Sequence, residues 1–530
     1  MMAADAILHW NSIMLKAEAD DKSNIYGSAD AAGPTGASRA FAIVSVAMFD
    51  AINSIKGQYE PYLIKVAGSQ GANIDAAVGQ AAHDALVDVY PKQAAVFDSD
   101  LTDWLNQLPD STSVRRGIAL GKTVAQACIN SRANDGSDAM MSYTPQPPGT
   151  LGHHQVDPLH PNQGFLGPDW GDVTPFGMVN ANNFPIPAPP ALTSQAYTDA
   201  YNQVMSLGAA NSTTRTQEQT NTGIFWAYDG TPGLGTPPRL YNEIAQTIAN
   251  QQHNTEYDNA RMFALINVAM ADAGIACWNM KFTYDFWRPI IAIRDGANDG
   301  NPNTAGDPNW TPLGAPASNG AGDGVNFTPP FPSYDSGHAT FGGALFQTLA
   351  DFYGTNNITF SISSDEFNGV NKNGDGSARP VIGPRTFTSF SAAAEENAMS
   401  RIYLGIHWIF DATNGIAQGD KIANFDFNHI LQPIKHGMPA GSGDSTLAAY
   451  LQTMVTMQFM GQSDHVNRQV VMLNQSDAGH STVYTATSLA PLFPIPGVPG
   501  SFKKHSQVVY SVDQSVSPNT AIIDHLLAHS

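Results

Sequence analysis

Three separated stretches of the chain carry cationic, imidazole and small residues at spacings suited to holding an oxyanion. The first is Lys281-Phe-Thr-Tyr-Asp-Phe-Trp-Arg288-Pro289. Positions seven apart on a helix return to nearly the same face, so Lys281 and Arg288 can point the same way. Pro289 disfavours the helical conformation at Arg288, so the helix is expected to end or kink there and free the guanidinium to swing toward whatever Lys281 faces. Taken alone, the pair reads more readily as two solvated charges. The second stretch is Pro332-Ser-Tyr-Asp-Ser336-Gly337-His338-Ala-Thr-Phe-Gly-Gly-Ala. A turn-rich loop here gives way to an apolar helix. Ser336 is a good N-cap type, Gly337 lets a ligand approach the backbone, and the free amides and dipole of a helix start seat an anion. His338 stands at the mouth of that seat, where it could move a proton. The third is Ser400-Arg401-Ile-Tyr-Leu-Gly-Ile-His407-Trp-Ile-Phe-Asp411. His407 and Asp411 are expected to share a helix face, the carboxylate holding one ring nitrogen and leaving the other as a ligand or nucleophile. Arg401 lies about 120° round a regular helix from His407, so its long arm or a local bend must close the gap.

In order, the chain thus reads Lys-x6-Arg-Pro, then Ser-Gly-His, then Ser-Arg-x5-His-x3-Asp. This tripartite pattern resembles the vanadium-dependent haloperoxidases and their relatives, the type 2 phosphatidic-acid phosphatases and bacterial class A acid phosphatases. Phe225-Trp-Ala-Tyr-Asp229-Gly and Gly235-Thr-Pro-Pro-Arg239 are similar to the upstream segment of the chloroperoxidase-like branch. Trp278 and Phe331 fall where that branch places aromatics beside its cofactor, while algal bromoperoxidases tend to carry histidine at the position matching Phe331. The resemblance spans about residues 220–425 well, the N-terminal helices loosely, and the C-terminal part not at all. Asp335 departs from it: a carboxylate just before Ser-Gly-His must point away, pair with a cation or tune His338.

The resemblance implies vanadate as cofactor, with His407 as the metal ligand. Lys281, Arg288, Arg401, Ser336 and the Gly337 amide would hold the other oxygens, and His338 would face the apical one and take a proton as hydrogen peroxide binds. Asp229 is implied to orient His338, and Lys281 to polarise peroxide for attack by a halide ion. The expected product is a hypohalous acid equivalent that halogenates a small organic acceptor, with bromide easier to oxidise than chloride. The same pocket accepts phosphate, because phosphoryl transfer passes through a five-coordinate arrangement that vanadate imitates. The rival reading is therefore a phosphatase in which His407 attacks, Asp411 orients it and His338 protonates the leaving group. Trp278, Phe331 and the chain length weigh against the small acid phosphatases. A non-enzymatic phosphate-binding scaffold would leave His338 without a role.

The elements that must position these residues are mostly helices. Helix-like spacing runs through 40–54, 75–90, 114–131, 195–207, 216–227, 240–252, 257–286, 338–353, 390–409 and 412–424, with strand alternation only at Thr482–Thr487. The fold class is all-α: helical bundles, as two four-helix-bundle-like lobes, with long Pro/Gly-rich loops at 144–192 and 296–335 that cover or line a site. Residues 1–195 form an N-terminal helical lobe with its covering loop, 196–435 a lobe carrying the site, and 436–530 an extension suited to an oligomer contact. A homo-oligomer, with a dimer favoured, is expected.

The chain has 530 residues and a net charge of −21 from 25 Lys and Arg against 46 Asp and Glu. Such a balance repels nucleic acid and anionic membrane surfaces, and any anion site must gather its cations locally. No apolar run approaches the roughly 20 residues that span a bilayer, and no signal peptide is visible, so a soluble protein, cytoplasmic or secreted, is expected. Cys128 and Cys277 lie far apart in apolar stretches and read as buried thiols. His153, His154 and His160 lack the supporting ligands of a metal site. Glu395 and Glu396 read as a solvated or paired face, and Asp365 and Glu366 as structural partners of Arg379 and Arg385.

Overall fold

The computed structural model describes residues 5–434, apart from 24, 140–141 and 321–323, and the backbone of three strands beyond them. The helices are α1 (Ala6–Lys22), α2 (Gly33–Lys56), α3 (Ile74–Val89), α4 (Ala94–Asn106), α5 (Thr112–Arg132), α6 (Gln195–Leu207), α7 (Gln217–Phe225), α8 (Pro237–Gln252), α9 (Glu256–Tyr284), α10 (Pro289–Arg294), α11 (Gly337–Tyr353), α12 (Phe390–Tyr403) and α13 (Ile409–His429). Strands β1 (Phe360–Ile362) and β2 (Arg385–Phe387) form a short antiparallel pair between α11 and α12. Met1–Ile434 is one compact unit and Lys435–Ser530 another. The second holds an antiparallel sheet in the order β3 (Val470–Ala478), β4 (Ser481–Leu489), β5 (Gln507–Asp513), and the alternation read at Thr482–Thr487 falls within β4. The remainder of 436–530, with its expected oligomer contact, lies outside the described residues.

The all-α class holds for the first unit. Helix α9 is its axis: almost every residue from Tyr257 to Lys281 is buried, because the helix is apolar on all sides and has α2, α11 and α13 packed around it. Helices α2 and α9 are long and apolar enough to cross a bilayer, contrary to the reading of apolar runs, yet both are enclosed by protein. Cys128 and Cys277 are buried free thiols, as expected.

Two features of the packing place the site. The long loop is pinned to α9 by Asp272, whose carboxylate accepts the amides of Phe176, Gly177 and Met178 at 2.6–2.7 Å. It is pinned again where the Trp278 indole donates to the Leu166 carbonyl at 3.2 Å. Helices α11 and α13 make the most extensive helix pair of the unit. Their approach requires glycine: a Cβ on Gly419 would lie 2.2 Å from the Thr340 carbonyl oxygen, and one on Gly343 2.7 Å from that of Ile416. Backbone on both sides leaves nothing to yield except the helix spacing itself.

Gly419→Ala is therefore expected to destabilise the protein by about 1–3 kcal/mol. Urea unfolding checks this: the midpoint should fall, while Gly383→Ala, at a site with open space around the added carbon, should leave it in place.

Candidate functional site

Helix α9 ends earlier than Pro289 suggests. Asp285 adopts the left-handed conformation and closes the helix after Tyr284. Arg288 is then the extended N-cap residue of α10, with Pro289 as its first residue. Lys281 and Arg288 thus do not share one continuous helix. Both still reach one place: Lys281 Nζ is 5.1 Å and Arg288 Cζ 5.0 Å from the centre of the Phe331 ring. Phe331 in turn sits 4.9 Å from Trp278, ring centre to ring centre.

Helix α11 starts as its sequence indicates. Ser336 is the N-cap, its hydroxyl accepting from the Ala339 amide. The first intrahelical bond runs from Thr340 N to Ser336 O, so the amides of Gly337 and His338 precede the hydrogen-bonded ladder. The His407–Asp411 contact forms, but not on one helix face. Helix α12 ends at Tyr403, His407 lies in the connection, and Asp411 sits in the first turn of α13. Asp411 Oδ2 accepts from His407 Nδ1 at 2.7 Å and from Trp408 N at 3.2 Å. The break between α12 and α13 is what closes the angular gap between Arg401 and His407.

Lys281, Arg288 and Arg401 are each at most 1% exposed, so the chain buries three cations side by side. Lys281 donates to the carbonyls of Pro332, Ser333 and Asp335. Arg288 donates through Nε to Phe331 O at 2.9 Å and through Nη1 to Ile406 O at 2.8 Å, and Nη1 lies 3.0 Å from His407 Nε2. Arg401 Nη2 donates to Asp229 Oδ1 at 2.6 Å. Among the described residues, Arg288 Nη2 and both Nε and Nη1 of Arg401 are buried without a partner. Burial pushes His407 well below the ordinary histidine range, with Arg288, Lys281 and Arg401 adding repulsion. It pushes the Asp411 carboxyl up to about 7, against the pull of Lys281. Burial and Arg401 likewise hold His338 well below its usual range, so its imidazole is neutral.

His338 is oriented differently from expectation. Its Nε2 lies 2.8 Å from the Ala227 carbonyl and 3.1 Å from that of Trp226. Two acceptors at Nε2 place the proton there and leave Nδ1 as the basic nitrogen. Asp229, expected to orient His338, holds Arg401 instead. Tyr241 and Asn397, absent from the sequence reading, anchor the start of α11 by donating to the His338 carbonyl at 3.2 and 2.8 Å. Asp335 is fully buried; its Oδ2 accepts from Thr340 Oγ1 at 2.8 Å and its carbonyl accepts from Lys281. Burial raises its pKa while Lys281 opposes the rise, so this residue belongs with Lys281 rather than with His338.

A cavity of about 410 Å³ is lined by Asp229, Gly337, His338, Arg401 and His407 together with Trp278 and Phe331. Ser336, Lys281 and Arg288 lie outside this lining. Of the other polar groups, His153 pairs with Asp285 and His160 with Asp157, and no cluster of three or more metal-ligating side chains occurs among the described residues. Glu366 pairs with Arg379 as expected, but Asp365 pairs with Arg239, and Arg385 with Glu218 and Glu396.

Residues 261–436 match the family model described as the VCPO second helical-bundle domain. A curated relative, the vanadium chloroperoxidase of Curvularia inaequalis, is 40% identical over 303 residues, which is 48% of this chain and 49% of the relative. The match therefore spans about half the length of that protein. Among solved structures, a bacterial vanadium-dependent iodoperoxidase superposes with a TM-score of 0.65 at 23% identity, over 81% of this chain and 98% of that one. A holo-type bacterial vanadium-dependent chloroperoxidase gives 0.57 at 16% identity, over 76% and 94%. At these identities the two structures establish a shared fold. The segment matched by the family model contains all three motifs, and over that segment the chain is similar to the vanadium-dependent haloperoxidases.

Proposed function

We propose that this chain binds vanadate between Arg288, Arg401, His407 and the start of α11. With it, the protein oxidises bromide, and less readily chloride, using hydrogen peroxide. The product is a hypohalous acid equivalent that halogenates small organic acceptors. The observation that carries the reading is the pair of buried Arg401 nitrogens with no acceptor, Nε and Nη1, beside an imidazole whose Nδ1 is held by Asp411. Buried donors without acceptors are costly, and a tetrahedral or five-coordinate oxyanion supplies the acceptors they need. The donor set fits vanadate: planar forks for oxygens, helix-start amides for a further oxygen, and one neutral imidazole nitrogen as a metal ligand.

Bound vanadate(V) supplies a Lewis acid that draws electron density from peroxide without changing oxidation state. The chain's own residues do the rest. Asp411 holds His407 Nδ1, so Nε2 is the nitrogen that would hold the vanadium, and Arg288 Nη1, 3.0 Å from it, would donate to an oxyanion oxygen. Arg401, braced by Asp229, contributes two free donors. His338 accepts the peroxide proton at Nδ1, because its Nε2 proton is committed to the carbonyls of Trp226 and Ala227. Lys281 polarises peroxide by sharing one of its protons with an oxygen in place of a loop carbonyl. Trp278 and Phe331 give the halide an apolar approach.

Orthovanadate added to metal-free protein is expected to produce peroxide- and bromide-dependent bromination of phenol red, with inorganic phosphate competing. Efficient hydrolysis of p-nitrophenyl phosphate with no gain on vanadate would instead support a phosphatase.

Two substitutions should separate holding from proton transfer. His407→Ala is expected to lose vanadium in equilibrium dialysis, whereas His338→Ala should retain vanadium far better than it retains turnover. Equal losses of both properties in His338→Ala would contradict this division of labour.

Asp229→Ala removes the brace on Arg401 and is expected to weaken orthovanadate binding by about 10-fold. Calorimetric titration measures this; unchanged affinity would show that Asp229 does not position Arg401.

A further inference from the structure

Arg288, which does not line the large cavity, lines a second and much smaller one together with His154, Asp157 and Thr328, while Gln163 and Pro330 line both. Its volume of about 10 Å³ is roughly what one water needs. His154, Arg288 and Thr328 are each no more than 3% exposed. Among the described residues, five buried polar atoms of these lining residues have no partner: both ring nitrogens of His154, Gln163 Oε1, Thr328 Oγ1 and Arg288 Nη2.

The other side-chain polar atoms of Gln163, Arg288 and Asp157 are engaged, which fixes what these residues have left over. Gln163 Nε2 donates to the Thr328 carbonyl at 2.7 Å, so Gln163 Oε1 is the acceptor that remains. The Thr328 amide donates to Asp157 Oδ2 at 3.0 Å, leaving only the Thr328 hydroxyl unpaired. Arg288 has used Nε and Nη1 on carbonyls. The unused set thus mixes donors (Arg288 Nη2, the Thr328 hydroxyl) with acceptors (Gln163 Oε1, an unprotonated nitrogen of His154).

We propose that this cavity is a built site for a single ordered water that joins Arg288 to His154, making His154 a positioning residue for the guanidinium. The water accepts from Arg288 Nη2 and Thr328 Oγ1 and donates to Gln163 Oε1 and one ring nitrogen of His154. That completes four hydrogen bonds, within the usual range for a buried water. A halide does not fit the same set, because it cannot donate to Gln163 Oε1 and would face the Asp157 carboxylate. The neutral imidazole this requires is favoured by burial, with Arg288 and Lys281 adding repulsion to any proton. Arg288 is then held on one side by the loop carbonyls and on the other by the water, and it meets an arriving oxyanion already oriented.

The inference about Arg288 rests on the oxyanion site proposed above, and its tests separate the two. A high-resolution crystal structure, with bromide in the soak, is expected to show one water in the cavity within hydrogen-bond distance of Arg288 Nη2 and His154. An empty cavity, or anomalous density for bromide in it, would overturn the proposal whatever the enzyme catalyses. His154→Phe fills the space and removes the acceptor. It is expected to weaken binding of inorganic phosphate and of orthovanadate by about 10-fold in calorimetry, with His154→Gln restoring most of the loss. Thr328→Val, which removes one hydroxyl, should give a smaller loss in the same direction and serves if His154→Phe does not fold. Wild-type affinity in folded His154→Phe, or in Thr328→Val should His154→Phe not fold, would overturn the proposal. Wild-type protein that binds both anions but shows no peroxide-dependent bromination would sink the haloperoxidase reading and leave the water site standing.

Discussion

The site depends on Asp411 more than on any other residue. Its carboxylate holds the His407 imidazole and caps the first turn of α13, and its carbonyl accepts the Ser336 amide at 3.1 Å. One residue thereby fixes an imidazole, a helix start and the entry to a second helix. The arrangement is stiff because α11 and α13 touch through glycines, with backbone against backbone. Close-packed interiors transmit displacement rather than absorb it. A shift of either helix would therefore move His407 and the Ser336–Gly337 turn together.

Around that joint the chain concentrates positive charge that its composition otherwise lacks. A protein with a net charge of −21 places Lys281, Arg288 and Arg401 out of water and holds the first two with carbonyl oxygens. Carbonyls satisfy donors without cancelling charge. Among the described residues only Asp229 pairs directly with one of the three cations, and Asp411 and Asp335 are themselves pushed toward their neutral forms by burial. The pocket consequently keeps an unbalanced positive potential and a set of donors pointing at nothing, both of which an oxyanion relieves.

Much of this was legible in the residues themselves, because holding an oxyanion restricts the side chains that can do it. Lys281, Arg288, Ser336, Gly337, His338, Arg401 and His407 announce that chemistry by type and order, and the principal helices announce themselves by period. What escaped was geometry set by the backbone. Asp285 in a left-handed conformation splits Lys281 from Arg288, and an aspartate gives little warning of such a turn. The break that leaves His407 between α12 and α13 did carry a signal: Gly405, itself left-handed, follows the end of α12. The apolar period running on through 390–409 concealed it. Asp229 was legible as a site residue but its partner was not, since pairing with Arg401 joins positions 172 apart. Helices α1 and α4 and the short α10 were missed. In α1 the apolar stripe is interrupted by buried polar residues such as Asn11 and Glu18, whose partners Asn242 and Thr236 lie more than 200 residues away.

The carbonyls of Trp226 and Ala227 that hold His338, and those of the 332–335 loop that hold Lys281, belong to the main chain. Every amino acid offers the same carbonyl. The orientation of the His338 imidazole is therefore insulated from substitution at the positions that provide it, so long as the local path of the chain persists. Substitution can vary the aromatic walls of the large cavity without disturbing the main-chain acceptors that hold His338 and Lys281. A scaffold built this way separates the inheritance of side-chain orientation from the inheritance of the cavity's shape.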